Sequence, residues 1–136
     1  MELKEHYTFE ELKEIIAVLR SDQGCPWDRK QTHESLKKCL TDECEEVLAA
    51  INNGDTENLC EELGDILLQV MLHSQIAAEA GEFTVEDVIG VLCRKMIRRH
   101  PHVFGDESCR SSEESLVRWN EIKQWEKEAR KRGERI

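Results

Sequence analysis

Aromatic side chains make up only 5% of this chain, and two prolines, Pro26 and Pro101, occur in its 136 residues. Runs of β-branched residues are equally scarce, so the composition favours helices over sheets. No apolar run approaches the 18 or so residues that a membrane-spanning helix needs. The six cysteines (25, 39, 44, 60, 93 and 109) make no C-x-x-C pair and no zinc spacing. Several sit at apolar helical positions, where a free thiol behaves as a small hydrophobe. No glycine-rich P-loop is present, so a bound nucleotide would be held by helices and side chains. No Glu-x-x-His pair occurs, which counts against a di-iron bundle. Net positive charge is also missing. At −10, the chain is unsuited to nonspecific contact with nucleic acid or an anionic membrane.

What the chain does have is charge, at 35% of residues, distributed unevenly. From Asp42 to Asp65, 24 residues hold nine acids and no Lys or Arg. From Arg94 to Ile136, twelve Lys or Arg outnumber eight Asp or Glu. An acidic middle and a basic end suit an anionic ligand held through a cation, although solvated helix faces account for many of these charges.

The length fits one domain over residues 1–136. The pattern within it predicts an all-α bundle of about four to five helices. Thr8, with Glu11 three residues on, caps a first helix over about Phe9–Arg20, with Leu12, Ile15, Ile16 and Leu19 on one stripe. Asp22-Gln23-Gly24 reads as a turn and Cys25-Pro26-Trp27-Asp28 as an ordered loop. A second helix opens at Thr32 or His33 and closes at Asn53-Gly54, with Leu36, Leu40, Val47 and Ile51 buried. Thr56 caps a third over Glu57–Ala80, stopped by Gly81. It is apolar on all sides after Asp65, which makes it central or shared with another subunit. His73 on it reads as a hydrogen-bonded core histidine. Thr84 starts a fourth helix through Arg99, with Val88, Val91, Leu92 and Met96 inward and a basic last turn. His100 to Asp106 reads as a loop. Ser111 or Ser112 caps a final helix carrying Leu116, Trp119, Ile122 and Trp125, and the tail, 129–136 above all, is expected to fray.

Helical phase sorts the acids. At 100° per residue, Glu43 falls inside the apolar arc of its helix and Glu46 on the arc's edge, while Asp42 and Glu45 point to solvent. Glu62 and Asp65 repeat the three-residue spacing on the next helix, where such neighbours stand side by side. Asp55 and Glu57 read as solvated, and Glu61 either as a neighbour of Asp65 or as a group that supports the ligands from behind. A carboxylate aimed at a core is costly unless it is paired or metal-bound. Two such pairs on two antiparallel helices would put four carboxylates around one point. Oxygen-only ligands select a hard cation, Mg²⁺ or Mn²⁺.

These residues also carry a family resemblance. Gly24-Cys25-Pro26-Trp27-Asp28-x-x-Gln31-Thr32, Glu43-x-x-Glu46-Val47-Leu48-x-Ala50-Ile51 and Glu61-Glu62-Leu63-Gly64-Asp65-Ile66-Leu67 come first. Lys95-x-x-Arg98-Arg99-His100-Pro101-His102-Val103-Phe104 and Trp119-x-x-x-Lys123 follow in order. Together they resemble the MazG-type nucleoside triphosphate pyrophosphohydrolases of the all-α NTP pyrophosphohydrolase superfamily. The resemblance implies hydrolysis of an NTP or dNTP between its α- and β-phosphates, giving a monophosphate and pyrophosphate. It makes Glu43, Glu46, Glu62 and Asp65 the Mg²⁺ ligands, with Mn²⁺ able to substitute. It gives Lys95, Arg98 and Arg99 to the triphosphate, and Trp119 with Lys123 to the nucleotide. The motif does not settle which carboxylate takes the proton from water; Glu46 is favoured. Many members have Glu where this chain has Asp42, a departure on the solvent side of the helix. Clearance of unwanted nucleotides, a homodimer or higher homo-oligomer, and a cytoplasmic location complete the expectation. Two alternatives remain at this level: a non-catalytic acidic helical module, or a dUTP-type diphosphatase of the same superfamily.

Overall fold

The computed structural model describes residues 2–136 and divides into two compact units, Met1–Val85 and Glu86–Ile136. Seven helices follow in order: α1 (Phe9–Leu19), α2 (Pro26–Lys30), α3 (Lys37–Asn52), α4 (Thr56–Glu79), α5 (Val85–Arg99), α6 (Pro101–Phe104) and α7 (Ser112–Lys131). No strand occurs among the described residues. The five long helices meet the all-α expectation. The two short ones correct the expectation of loop at 25–28 and 100–106. Each has a proline in its first turn, where the fixed φ suits a helix and the missing N–H costs nothing.

In the first unit, α3 and α4 form an antiparallel hairpin and α1 packs on α4. Thr8 caps α1 with a complete capping box: Glu11 N–H donates to the Thr8 hydroxyl at 3.2 Å and Thr8 N–H to the Glu11 carboxylate at 3.0 Å. The core gathers Ile16, Leu36, Met71, Leu72 and Val85, with Leu12, Leu19, Cys39, Leu68 and Ile76 against it. Gly24 lets the chain double back on the end of α1, because a Cβ there would lie 2.2 Å from the Val18 carbonyl oxygen. Arg20 then ties the next segment down. Its side chain, 6% exposed, donates to the carbonyls of Asp28 and Gln31 and makes a two-pronged pair with Glu79 at the end of α4. That pairing holds the Glu79 carboxyl below its ordinary range.

Several boundaries move. Thr32 and Ser35 bond reciprocally, side chain to backbone N–H, and set a turn over 33–36; regular helix begins only at Lys37. Asp55, not Thr56, caps α4 by accepting from Asn58 N–H at 3.1 Å. Gly54 and Gly81 take the left-handed conformation that ends α3 and α4, with φ of 62° and 71°. Helix α7 runs well into the tail expected to fray, because Ala129 is fully buried and anchors it.

The helical wheels overstate burial. Leu36, at the N-cap of α3, and Ala50 within it are buried, but Leu40 and Ile51 are exposed. On α4, Gln69, Met71, Leu72 and Ser74 are buried, while Leu63, Leu67 and Val70 stand in solvent. In the second unit, Val91 and Leu92 are exposed where an inward face is expected, and Leu116 and Trp125 of α7 are exposed as well. A wheel shows that a stripe is apolar, but not whether this chain supplies the surface that covers it. His73 is the core histidine expected: its Nδ1 lies 2.8 Å from His33 Nδ1, and the two rings stack. Burial, and then the charge of His33, make His73 harder to protonate.

Candidate active site

The α3–α4 hairpin brings together the two acid pairs that sequence places on separate helices. Glu43 and Glu46 on α3 face Glu62 and Asp65 on α4, and one carboxylate oxygen from each lies within 4.8 Å of the other three. Glu62 is buried, Glu43 and Asp65 half-buried, and Glu46 exposed. The cluster therefore opens to solvent on the Glu46 side. The other acids of the stretch stay outside it. Asp42 is bonded to Lys38 at 2.8 Å, Asp55 is occupied as a helix cap, and Glu45, Glu57 and Glu61 are exposed.

Four carboxylates this close cannot all stay ionised without a counter-charge. Glu62 responds most: its pKa is pushed up to about 7. The first cause is a hydrogen bond to Glu46 that a protonated Glu62 can make; burial and the charges of Glu46, Asp65 and Glu43 add to it. Glu43 is raised too, by burial first and then by the charges of Asp65 and Glu46. The charged groups that act on Glu62 and Glu43 are all acids. Moreover, the Oε2 atoms of Glu43 and Glu62 are both buried with no hydrogen-bond partner. Buried acceptors are normally satisfied, so unpartnered oxygens on two members of one carboxylate cluster are what a cation bound there would satisfy.

The donor set fits one. All four ligands are hard oxygens, and their spread is close to twice the 2.0–2.1 Å of a magnesium–oxygen bond, or about 4.2 Å across an ion. Bound there, such an ion would neutralise carboxylate and phosphate charge and lower the pKa of a water. Fold and site together give an all-helical domain with a four-carboxylate cluster that could hold a metal ion.

The comparisons narrow that class. Residues 31–104 match the family model described as the MazG nucleotide pyrophosphohydrolase domain. The chain is 55% identical over 128 residues to the nucleoside triphosphate pyrophosphohydrolase/pyrophosphatase MazG of Thermotoga maritima, covering 94% of this chain and 48% of that protein. It is 44% identical over 110 residues to the nucleoside triphosphate pyrophosphohydrolase of Escherichia coli strain K12, covering 80% and 42%. Among solved structures, a mazG-related protein from Thermotoga maritima superposes with a TM-score of 0.70 at 36% identity, covering 85% of this chain and 98% of that one. The chain belongs to the MazG nucleotide pyrophosphohydrolase domain family. It spans a little under half the length of these two curated relatives.

The second unit holds the other residues singled out from sequence. Arg98 and Arg99, at the end of α5, converge on one acid of α7 that sequence reasoning passed over. Glu126 Oε2 accepts from Arg98 Nε at 2.6 Å and from Arg99 Nε at 3.4 Å, and its Oε1 accepts from Arg99 Nη2 at 2.7 Å. Glu126 is 1% exposed. Burial pushes its carboxyl up, but the Arg99 and Arg98 bonds and charges prevail and leave it below the ordinary range. The Arg99 guanidinium stands 4.7 Å from the centre of the Trp119 ring, against whose edge His100 packs at 5.3 Å. Lys95 is half-buried and Lys123 exposed. A signal for Glu126 existed: Ile122, Glu126 and Ala129 share one stripe at positions i, i+4 and i+7, and all three are buried. An acid on a buried stripe deserves the same question that Glu43 raised.

Proposed function

We propose that the chain is a Mg²⁺-dependent nucleoside triphosphate pyrophosphohydrolase, cleaving an NTP or dNTP between the α- and β-phosphates. The observation that carries this reading is the pair of buried, unpartnered oxygens of Glu43 and Glu62 within the four-carboxylate cluster. The names borne by the family and by the two pyrophosphohydrolase relatives support it.

In this reading Glu43, Glu46, Glu62 and Asp65 hold the metal, with Mn²⁺ able to substitute. Bound there, the cation supplies Lewis acidity toward phosphate oxygens and a more acidic water. Glu46, the exposed member, accepts the proton from the attacking water. In the same reading Lys95, Arg98 and Arg99 hold the triphosphate, and Trp119 and Lys123 the nucleotide. Residues 1–136 act as one functional domain, clearing unwanted nucleotides in the cytoplasm. Leu63, Leu67 and Val70, exposed on α4, support self-association through the central helices as a homodimer or larger oligomer, which gel filtration with light scattering checks.

The deciding experiment incubates purified protein with Mg²⁺ and a panel of canonical and modified NTPs and dNTPs. Stoichiometric pyrophosphate and monophosphate are expected. Inorganic phosphate with a diphosphate, or no turnover on any nucleotide, would refute the proposal.

A further inference from the structure

The Arg98–Glu126–Arg99 group lies entirely within the second unit, and its geometry asks why two arginines share one buried acid. A guanidinium has two usable edges, and its fork meets oxyanions best when its plane is fixed. Glu126 engages Arg98 through Nε alone, and Arg99 through Nε and Nη2. Both Nη groups of Arg98 and Nη1 of Arg99 are left without a protein acceptor among the described residues. Trp119 fixes the plane of Arg99 from the face. One negative charge set against two positive ones leaves the group net cationic. Glu126 thus removes the rotational freedom of two long side chains without cancelling their charge. On the side away from the acid they present donors in a set orientation.

Resting on the functional reading above, we infer that Glu126 is a positioning residue for polyphosphate recognition. It holds Arg98 and Arg99 with their free donors aimed at the phosphate oxygens of the substrate. Glu126 itself touches no phosphate.

The test compares wild type with Glu126→Gln and Glu126→Asp, by pyrophosphate release and by calorimetric binding of inorganic tripolyphosphate. Glutamine keeps the shape but turns a donor toward one arginine; aspartate keeps the charge on a shorter arm. Expected for Glu126→Gln is a KM about tenfold higher, tripolyphosphate binding weakened by a similar factor and kcat within about twofold. The Mg²⁺-induced melting shift stays unchanged, and Glu126→Asp recovers part of the loss. Arg99→Lys should raise KM alone and add little on top of Glu126→Gln, since coupled residues are not additive.

A folded Glu126→Gln with wild-type KM and tripolyphosphate affinity overturns the inference. So does failure of both Glu126 variants to fold, which would make the residue a strut for α7. Wild type that binds tripolyphosphate but releases no pyrophosphate defeats the functional reading, while the binding arm still decides the role of Glu126. Wild type that binds no tripolyphosphate defeats the inference itself.

Discussion

Two groups of acids, one in each unit, answer the cost of burying a carboxylate in opposite ways. Glu126 is almost completely buried, yet its carboxyl is easier to ionise than usual, because two guanidinium groups meet it. Glu62 is less deeply buried and is harder to ionise than usual, because its near neighbours are other acids. In the first group the acid is fully met: both of its oxygens accept from arginines. In the second, the charges that act on Glu62 and Glu43 all come from other acids of the cluster, which could hold a metal ion. Burial alone therefore does not decide how an acid ionises; the charge of the groups it meets does.

The largest effect should come from emptying the uncompensated group. Glu62→Ala or Asp65→Ala is expected to lower kcat for pyrophosphate release by about a thousandfold or more, roughly 4 kcal/mol of transition-state stabilisation, with the helical circular-dichroism signal intact. Retained activity in both variants would reduce the cluster to ordinary surface charge.

Next in size is the response to cutting the compensated group. Glu126→Gln should destabilise the fold by about 2 kcal/mol in urea unfolding. That is below the roughly 3–5 kcal/mol seen when fully buried pairs are broken, because Arg98 and Arg99 keep some solvent contact. Glu62→Gln should do the reverse in metal-free protein and stabilise it, since it removes a charge that its neighbours repel. If both substitutions shift the unfolding midpoint the same way, the contrast between the groups is lost.

The pH dependence follows the same division. A folded-state pKa near 7 for Glu62 lies above the ordinary carboxylate value, so the folded state binds more protons than the unfolded state between about pH 4.5 and 7. Stability from this group is present at low pH and is lost as pH rises through about 7. In EDTA the melting temperature should therefore fall between pH 5 and pH 8, and the fall should shrink in Glu62→Gln. Excess Mg²⁺ should restore stability at pH 8 and do little at pH 5, where protons occupy the cluster. For Glu126 the sign is opposite: its lowered carboxyl stabilises the fold above the ordinary carboxylate range and loses that contribution as pH drops below it.

The smallest effect belongs to acids outside both groups. Asp42→Asn breaks an exposed pair with Lys38 and should cost at most about 0.5 kcal/mol, and Glu45→Gln should change turnover by less than about twofold. A large loss of activity in either would mean that the cluster extends beyond its four members.

Much of this was legible in the residues themselves. Helix class, the Thr8 capping box, the glycine stops at Gly54 and Gly81, and the separation of Glu43 and Glu46 from Glu45 all follow from local rules. A cap or a three-residue spacing involves atoms within one or two turns of chain, and the sequence specifies those turns directly. The long-range facts were decided by the tertiary structure. The α3–α4 pairing sets Glu43 and Glu46 against Glu62 and Asp65. Arg20 reaches from the end of α1 to Glu79, and Glu126 binds two arginines of another helix. It also decided which apolar stripes are covered, leaving Leu63 and Leu67 exposed while Met71 and Leu72 are enclosed. The phase of a helix tells which side chains share a face. What that face meets, and so whether a buried acid finds a cation within the chain or must take one from solution, depends on where the other helices lie.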